Sequence, residues 1–178
     1  MAGDERLRLF CGLRLPAEVV DRLAAWQHAS LDGGRIVPPE NLHVTLAFLG
    51  QRRATEVAVV GEALQVAAAG AGELHLGVTG YRETRSVGML TLSDEGGSAT
   101  VLAARLHERL EAARVYRREA RPWLPHLTVL RFRDQPRLRP PLPELGDVVP
   151  SDAAVFMSRL GPGGARYEVL ETVPLGGR

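Results

Sequence analysis

The sequence of 178 residues predicts an α+β fold in which two pseudo-symmetric lobes share one central cleft. Two observations lead to this prediction. The pattern histidine, apolar residue, threonine, apolar residue occurs at residues 43–46 and again at 126–129. Each copy also ends a segment that reads as strand, helix and strand, over residues 7–49 and 87–132. Such repeats usually pack about a pseudo-two-fold axis, so we expect both motif strands to face the same cleft.

The first repeat opens with an apolar run at residues 7–13, which predicts a strand. Pro16 suits the first turn of a helix, and apolar residues at helical spacing extend that helix to about residue 31. Pro38 and Pro39 stop regular structure before the motif strand, which is predicted over 42–49.

A second helix is predicted over residues 54–69, ended by the glycines at 70 and 72. Alternating apolar residues at 74, 76 and 78 indicate a strand. The second repeat then starts with a strand at 87–92 and continues with a helix capped near Ser98 that runs to about residue 115.

The second motif strand is predicted over residues 124–132, after Pro122 and Pro125. A proline-rich stretch from 135 to 150 predicts an exposed loop. Residues 153–160 and 167–173 indicate a closing pair of strands. We therefore expect one two-lobed domain over residues 1–178.

The composition limits the possible classes of protein. An apolar content of 45% is enough for a core, whereas no apolar run approaches the length of a membrane span, and the charged N-terminus lacks a signal-type apolar region. We expect a cytoplasmic monomer with no membrane partner. The net charge of only +1 argues against a protein that coats nucleic acid generally.

The repeated motif indicates acid–base chemistry. Residues two apart in a strand share a face, so His43 with Thr45, and His126 with Thr128, should each point into the cleft. Histidine titrates near neutral pH, so one can act as base while the other acts as acid. Threonine hydroxyls can donate to an oxyanion, and a phosphate ester supplies oxygens that need such donors. The predicted substrate is a phosphate ester.

Other chemistries have less support. No metal-binding motif accompanies the two histidines, so neither a metal nor another cofactor is expected. The chain has no lysine, which excludes a phosphate-binding loop of the Gly-x-x-x-x-Gly-Lys type and Schiff-base chemistry. Cys11 lies in an apolar run and is expected in the core. The remaining histidines, His28, His75 and His107, are expected at the surface or in helix caps.

These residues resemble the two-histidine phosphoesterase superfamily, and within it the bacterial and archaeal RNA 2′,3′-cyclic phosphodiesterases once called 2′-5′ RNA ligases. The segments that carry the resemblance are 8–13, 37–50, 121–129 and 167–170. They span nearly the whole chain and include both copies of the motif.

The resemblance implies a fold with antiparallel sheets lining the cleft. It also implies an enzyme that opens a terminal ribose 2′,3′-cyclic phosphate of RNA to a 2′-phosphate without metal. His43 would protonate the leaving 3′ oxygen and His126 would activate water. Thr45 and Thr128 would hold the phosphate oxygens, and Arg131 occupies the place of a phosphate-contacting arginine in the family's second motif.

Strand alternation gives two further expectations. His126 and Thr128 share a face with residue 130, so Arg131 should point away from the cleft unless the strand bends or ends there. Phe48 shares the face of Val44, so it is expected in the core and not as a platform for a nucleotide base.

Alternative functions remain open at this stage. The same four residues would serve a 2′-5′ RNA ligase or an enzyme acting on tRNA halves, small cyclic nucleotides or a cyclic ADP-ribose phosphate. A different class of protein would be a non-catalytic module that binds RNA ends. The two intact motifs favour the enzyme.

Overall fold

The computed structural model describes residues 4–176. Within them the chain forms eight strands and three α-helices, and every predicted strand and helix is present. The strands are β1 (Arg6–Arg14), β2 (Arg35–Ile36), β3 (His43–Arg53), β4 (His75–Glu83), β5 (Val87–Glu95), β6 (His126–Arg131), β7 (Asp152–Gly161) and β8 (Gly164–Val173). The helices are α1 (Ala17–Ser30), α2 (Val57–Ala69) and α3 (Ser98–Ala112).

All strand pairs are antiparallel, in the order β4-β5-β6-β3-β1-β7-β8, with β2 also paired to β6. The two motif strands β3 and β6 are neighbours at the middle, where their ladder consists of the single pair Val44 and Leu127. The sheet therefore has two halves joined at a narrow seam. The first half contains β3, β1, β7 and β8, and the second contains β6, β2, β5 and β4. The predicted α+β fold with two antiparallel lobes is confirmed.

The internal duplication is visible in the strand register. In the first repeat β1 leads through α1 to β3, and Gly12 lies opposite Thr45. In the second, β5 leads through α3 to β6, and Met89 lies opposite Thr128. Each motif threonine thus has the same place beside the first strand of its own repeat.

A β-bulge interrupts β3 just after its motif threonine. Cys11 pairs with Ala47 and Gly12 with Thr45, so Leu46 is the extra residue. Leu46 and Ala47 are both buried, and the alternation of side chains changes phase after them. Phe48 consequently shares the cleft face with the motif and is 49% exposed. The prediction of Phe48 as a core residue is wrong, because it assumed a regular strand.

The same irregularity occurs at the equivalent place in β6. Gly88 pairs with Leu130 and Met89 with Thr128, so Val129 is the extra residue. Val129 and Leu130 are both buried, and Arg131 is exposed and lines the cleft. Arg131 and Phe48 each lie five residues after a motif histidine, and each is turned into the cleft by its bulge.

The helices and the apolar side of the sheet form one continuous core. Leu13, Val44, Leu90 and Leu127, which come from strands of both halves, have no exposed surface and belong to the same cluster. Cys11 is also buried there, as predicted, and burial raises the pKa of its thiol to about 12. None of the helices described between residues 4 and 176 is long and apolar enough to cross a membrane.

Candidate functional site

The opposite face of the sheet carries a cleft of about 300 Å³ that contains both motifs. Residues of β3 and β6 form its centre, and β1, β7 and β8 contribute the wall on the first half. The lining residues are Arg8, Phe10, Val37, Asn41, His43, Thr45, Phe48, His126, Thr128, Arg131, Ser158, Leu160, Ala165 and Tyr167. All five site residues predicted from the sequence are therefore brought together.

The backbone fixes the tautomer of His43. Its Nδ1 lies 2.7 Å from the carbonyl oxygen of Asn41, and a carbonyl only accepts, so Nδ1–H is the donor. Nε2 then carries the lone pair, and the Thr45 hydroxyl, at 2.8 Å, donates to it. Nε2 of His43 thus faces the cleft and is held by the hydroxyl of its own motif threonine.

Three aromatic rings surround His43. Its ring centroid lies 4.8 Å from that of Phe10, 5.8 Å from Phe156 and 5.4 Å from Tyr167. Burial among these rings lowers the pKa of His43 to about 4, against an opposing contribution from the hydrogen bond to Asn41. The charge of Arg131 lowers it further, as does that of His126 when His126 is protonated. In the free protein His43 is therefore neutral at pH 7.

His126 has the same tautomer through an equivalent contact. Its Nδ1–H donates over 3.0 Å to the carbonyl oxygen of Leu124, which like Asn41 lies two residues before its histidine. Nε2 again carries the lone pair of the neutral ring. Among the described residues no aromatic ring packs against His126 as three pack against His43, so the two imidazoles share an orientation but not a surrounding.

The charge of the cleft suits an anion. Arg131 and Arg8 both line it, and the Arg8 guanidinium lies 4.9 Å above the centre of the Phe48 ring. None of the described residues in the lining is acidic. Two cations with the motif hydroxyls favour a negatively charged ligand of phosphate size.

The sequence prediction missed the contribution of β1. Alternation along β1 places Arg8, Phe10 and Gly12 on one face, and that face is the cleft. The sequence contained this alternation, but only the pairing of β1 with β3 shows which face meets the motif. Gly12 has a specific role, because a Cβ there would lie 3.2 Å from Cδ2 of His43.

The prediction that His107 lies at the surface or in a helix cap is also wrong. His107 on α3 is buried and donates its Nε2–H over 2.7 Å to the carbonyl oxygen of Leu46. It shares a helix face with Ala103 and Leu110, at spacings of four and three residues, so the helical periodicity of the buried positions includes it. Its charged sequence neighbours obscured that pattern.

An antiparallel α+β fold whose two His-x-Thr strands meet in a cationic cleft defines a two-histidine phosphoesterase. Comparison with known proteins agrees with this class. The model of the LigT-like phosphoesterase family matches residues 13–85, which contain the first motif. The chain belongs to the LigT-like phosphoesterase family.

The similarity to individual relatives extends along the whole chain. The RNA 2′,3′-cyclic phosphodiesterase of Escherichia coli K12 is 28% identical over 185 residues, which cover 94% of this chain and 96% of that protein. The crystal structure of apo E. coli LigT is 26% identical, with a TM-score of 0.81 over 97% of this chain and 99% of that one. The Thermus thermophilus protein TT0787 is 30% identical, with a TM-score of 0.80 over 96% and 99%. E. coli LigT has also been crystallised with 3′-AMP and with ATP.

Proposed function

We propose that this phosphoesterase opens the 2′,3′-cyclic phosphate at the end of an RNA and leaves a 2′-phosphate, without metal or other cofactor. The observation that carries the proposal is the matched presentation of two imidazoles. In both motifs Nδ1–H is bonded to a backbone carbonyl, so the nitrogen that can exchange a proton is Nε2 in His43 and in His126, and both histidines line one cleft. The relative named RNA 2′,3′-cyclic phosphodiesterase supports the choice of substrate.

The reaction needs one base and one acid. Nε2 of His126 takes a proton from a water molecule whose oxygen attacks phosphorus. The bond between phosphorus and the 3′ oxygen breaks, and Nε2–H of His43 gives its proton to that oxygen. The products are a 3′-hydroxyl and a 2′-phosphate monoester. The imidazoles finish the cycle with their protons exchanged, and solvent restores them.

His43 must gain a proton before it can act as acid, and the substrate explains how. In the free protein the pKa of His43 is about 4, chiefly because the ring is buried. A cyclic phosphate brings a negative charge beside it, which favours the imidazolium and raises that pKa. Protonated His43 is then expected mainly in the substrate complex, where the proton is used.

The other three site residues are proposed to bind the phosphate. Thr45 donates to His43 in the free protein, and a phosphate oxygen would accept that hydroxyl proton once Nε2 is protonated. Thr128 occupies the equivalent position beside His126. Arg131 adds a charge-assisted donor, which is strongest towards a phosphate oxygen as charge develops in the transition state.

A direct test uses a short RNA ending in 2′,3′-cyclic phosphate, incubated with the purified protein and a chelator. We expect a 2′-phosphate product, identified by phosphorus NMR. His43→Ala and His126→Ala should each lower the rate by at least about a hundredfold, since each removes one partner in acid–base catalysis. The matched control is His28→Ala, an exposed histidine on α1 that should leave the rate unchanged.

The alternative functions give different outcomes in the same assay. A small cyclic nucleotide opened faster than the RNA would replace the proposed substrate. Joined RNA ends would indicate 2′-5′ ligation as the main reaction, with tRNA halves as natural partners to try. RNA that binds but is recovered unchanged at every pH from about 5 to 8 would contradict hydrolysis and indicate a binding module.

A further inference from the structure

Two buried polar side chains outside the cleft contact the motif strands from behind. They are Gln27 on α1, which has no exposed surface, and His107 on α3, which is 7% exposed. Neither takes part in the proposed proton transfers. Their contacts, however, fall at equivalent places in the two repeats.

His107 holds the bulge of β3. Its Nε2–H donates to the carbonyl oxygen of Leu46, the extra residue of that bulge. The other side of the same strand segment is held by Trp123, whose indole N–H donates over 3.0 Å to the carbonyl oxygen of Thr45. The backbone between the motif threonine and Phe48 is therefore fixed by side chains as well as by the sheet.

Gln27 holds the bulge of β6 in the same way. Its Nε2 donates over 2.9 Å to the carbonyl oxygen of Val129, the extra residue there, and over 3.1 Å to that of Val37. The Val129 oxygen also accepts from the Val37 N–H. One amide group thus ties the bulge to the segment that leads into the first motif.

The two contacts are crossed between the repeats. Helix α1 belongs to the first repeat but binds the bulge of the second motif strand, and α3 belongs to the second repeat but binds the bulge of the first. In both cases the accepting carbonyl is that of the fourth motif residue, three after the histidine. The equivalence argues for a common role, because unrelated packing contacts have no reason to select the same carbonyl twice.

We infer that Gln27 and His107 are positioning residues that lock the two bulges, and that each one sets the motif of the opposite repeat. Without a bulge, strand alternation would turn the residue five after each histidine away from the cleft. His107 therefore governs His43 and Phe48, and Gln27 governs His126 and Arg131. The effect on turnover rests on the proposed function, whereas the effect on the imidazoles does not.

The decisive test is NMR of protein labelled with ¹⁵N-histidine, recorded without substrate. Gln27→Leu keeps the approximate volume and removes the donor, and we expect it to shift the ring signals of His126 and leave those of His43 unchanged. His107→Leu should do the reverse. This crossed pattern distinguishes positioning from a local disturbance. Helix α1 precedes the His43 motif along the chain, so a local disturbance from Gln27→Leu would affect His43 before His126.

Matched controls separate positioning from packing. Leu23→Ala on α1 and Leu106→Ala on α3 remove buried side chains from the same helices without touching a bulge carbonyl. They should lower the unfolding temperature and leave both sets of ring signals in place. His107→Gln retains a donor, so its His43 ring signals should lie closer to those of the wild type than the signals of His107→Leu do.

Kinetics give the second readout. If the enzyme opens cyclic phosphates, each leucine variant should lower kcat/KM by about tenfold or more, because sub-ångström displacement of catalytic groups is costly. Gln27→Leu should also raise KM, since Arg131 is proposed to bind the substrate phosphate. If no cyclic phosphate is opened by the wild type, the proposed function fails while the NMR result still decides the inference.

The inference is wrong if both leucine variants are folded and keep the ring signals of both histidines, or if the two variants disturb the same histidine. Should a leucine variant unfold, Gln27→Asn and His107→Asn shorten the donor and give a milder form of the same test. They are expected to produce the same crossed shifts at lower amplitude. Unshifted signals in them would equally overturn the proposal.

Discussion

The two motif imidazoles are alike in their hydrogen bonds and different in their surroundings. Both use Nδ1–H to bind the carbonyl two residues earlier, which leaves the lone pair on Nε2 in each. His43 alone is packed among aromatic rings, and its pKa of about 4 follows from that burial. The duplication therefore supplies two imidazoles with the same hydrogen bonds, and the aromatic side chains of the first half give His43 a different environment.

Removing one ring should reverse part of this difference. Tyr167→Ala admits water beside His43, so the pKa of His43 should rise from about 4 towards the ordinary value of 6.5. Histidine NMR titration of the free protein measures it directly. Tyr81→Ala, which removes a half-buried ring on β4 that is bonded to Glu83 and does not pack on His43, is the control and should leave the pKa of His43 unchanged. A wild-type His43 that titrates near its ordinary pKa would contradict the conclusion that burial lowers the pKa of this ring.

The same pKa has a consequence for stability, with a defined sign. In the unfolded chain His43 titrates near 6.5, whereas in the folded protein it titrates near 4. Between these values the unfolded state binds more protons, so this group makes folding less stable as pH falls from about 6.5 to 4. Tyr167→Ala should weaken that pH dependence, which denaturant titrations at several pH values would show.

Gly12 is expected to be essential for the position of the His43 ring. A Cβ at residue 12 would lie 3.1 Å from the Val44 carbonyl oxygen, 3.2 Å from Cδ2 of His43 and 3.4 Å from the Phe156 ring. Gly12→Ala should therefore displace the imidazole by a few tenths of an ångström and lower kcat by about tenfold, with the fold retained. Gly163→Ala, where nothing lies within 4 Å, is the matched control. Equal rates for both variants would mean that the ring tolerates the displacement.

At the scale of the strand, the bulges decide which side chains line the cleft. The sequence allowed the motif strands, their repetition and the convergence of His43 and His126 to be predicted, because period-two alternation and the duplication are explicit in it. A bulge has no comparable signature, since it arises from pairing with a strand far along the chain. That is why alternation misplaced Phe48 and left Arg131 dependent on a bend in β6.

Substitution of Arg131 tests whether the bulge of β6 directs this side chain to the bound phosphate. Because the bulge turns it into the cleft, Arg131→Met should raise KM for the cyclic-phosphate RNA by about tenfold and reduce the dependence of KM on salt. Arg133→Met removes an exposed arginine that does not line the cleft, and serves as the control for net charge. If both variants change KM equally, the effect is one of overall charge and Arg131 makes no specific phosphate contact.

At the scale of the whole molecule, the two halves are joined weakly in the sheet and strongly in the core. The β3–β6 ladder contains one residue pair, Val44 and Leu127, yet both side chains are fully buried in a cluster that continues through both halves. The crossed contacts of α1 and α3 add further connections between the repeats. A site composed of one motif from each half requires this, because any hinge at the seam would separate the imidazoles.

We therefore expect the chain to unfold as a single domain. Its two tryptophans report on different repeats, with Trp26 on α1 bonded to the Pro141 carbonyl and Trp123, just before β6, bonded to that of Thr45. In Trp26→Phe and in Trp123→Phe, the urea midpoint from the remaining tryptophan's fluorescence should coincide with the midpoint from far-UV circular dichroism of the same variant. Comparing the two probes within each variant cancels the stability lost by the substitution itself. Midpoints that separate, with one repeat melting before the other, would show two independent domains and would remove the physical basis for a rigid cleft shared between them.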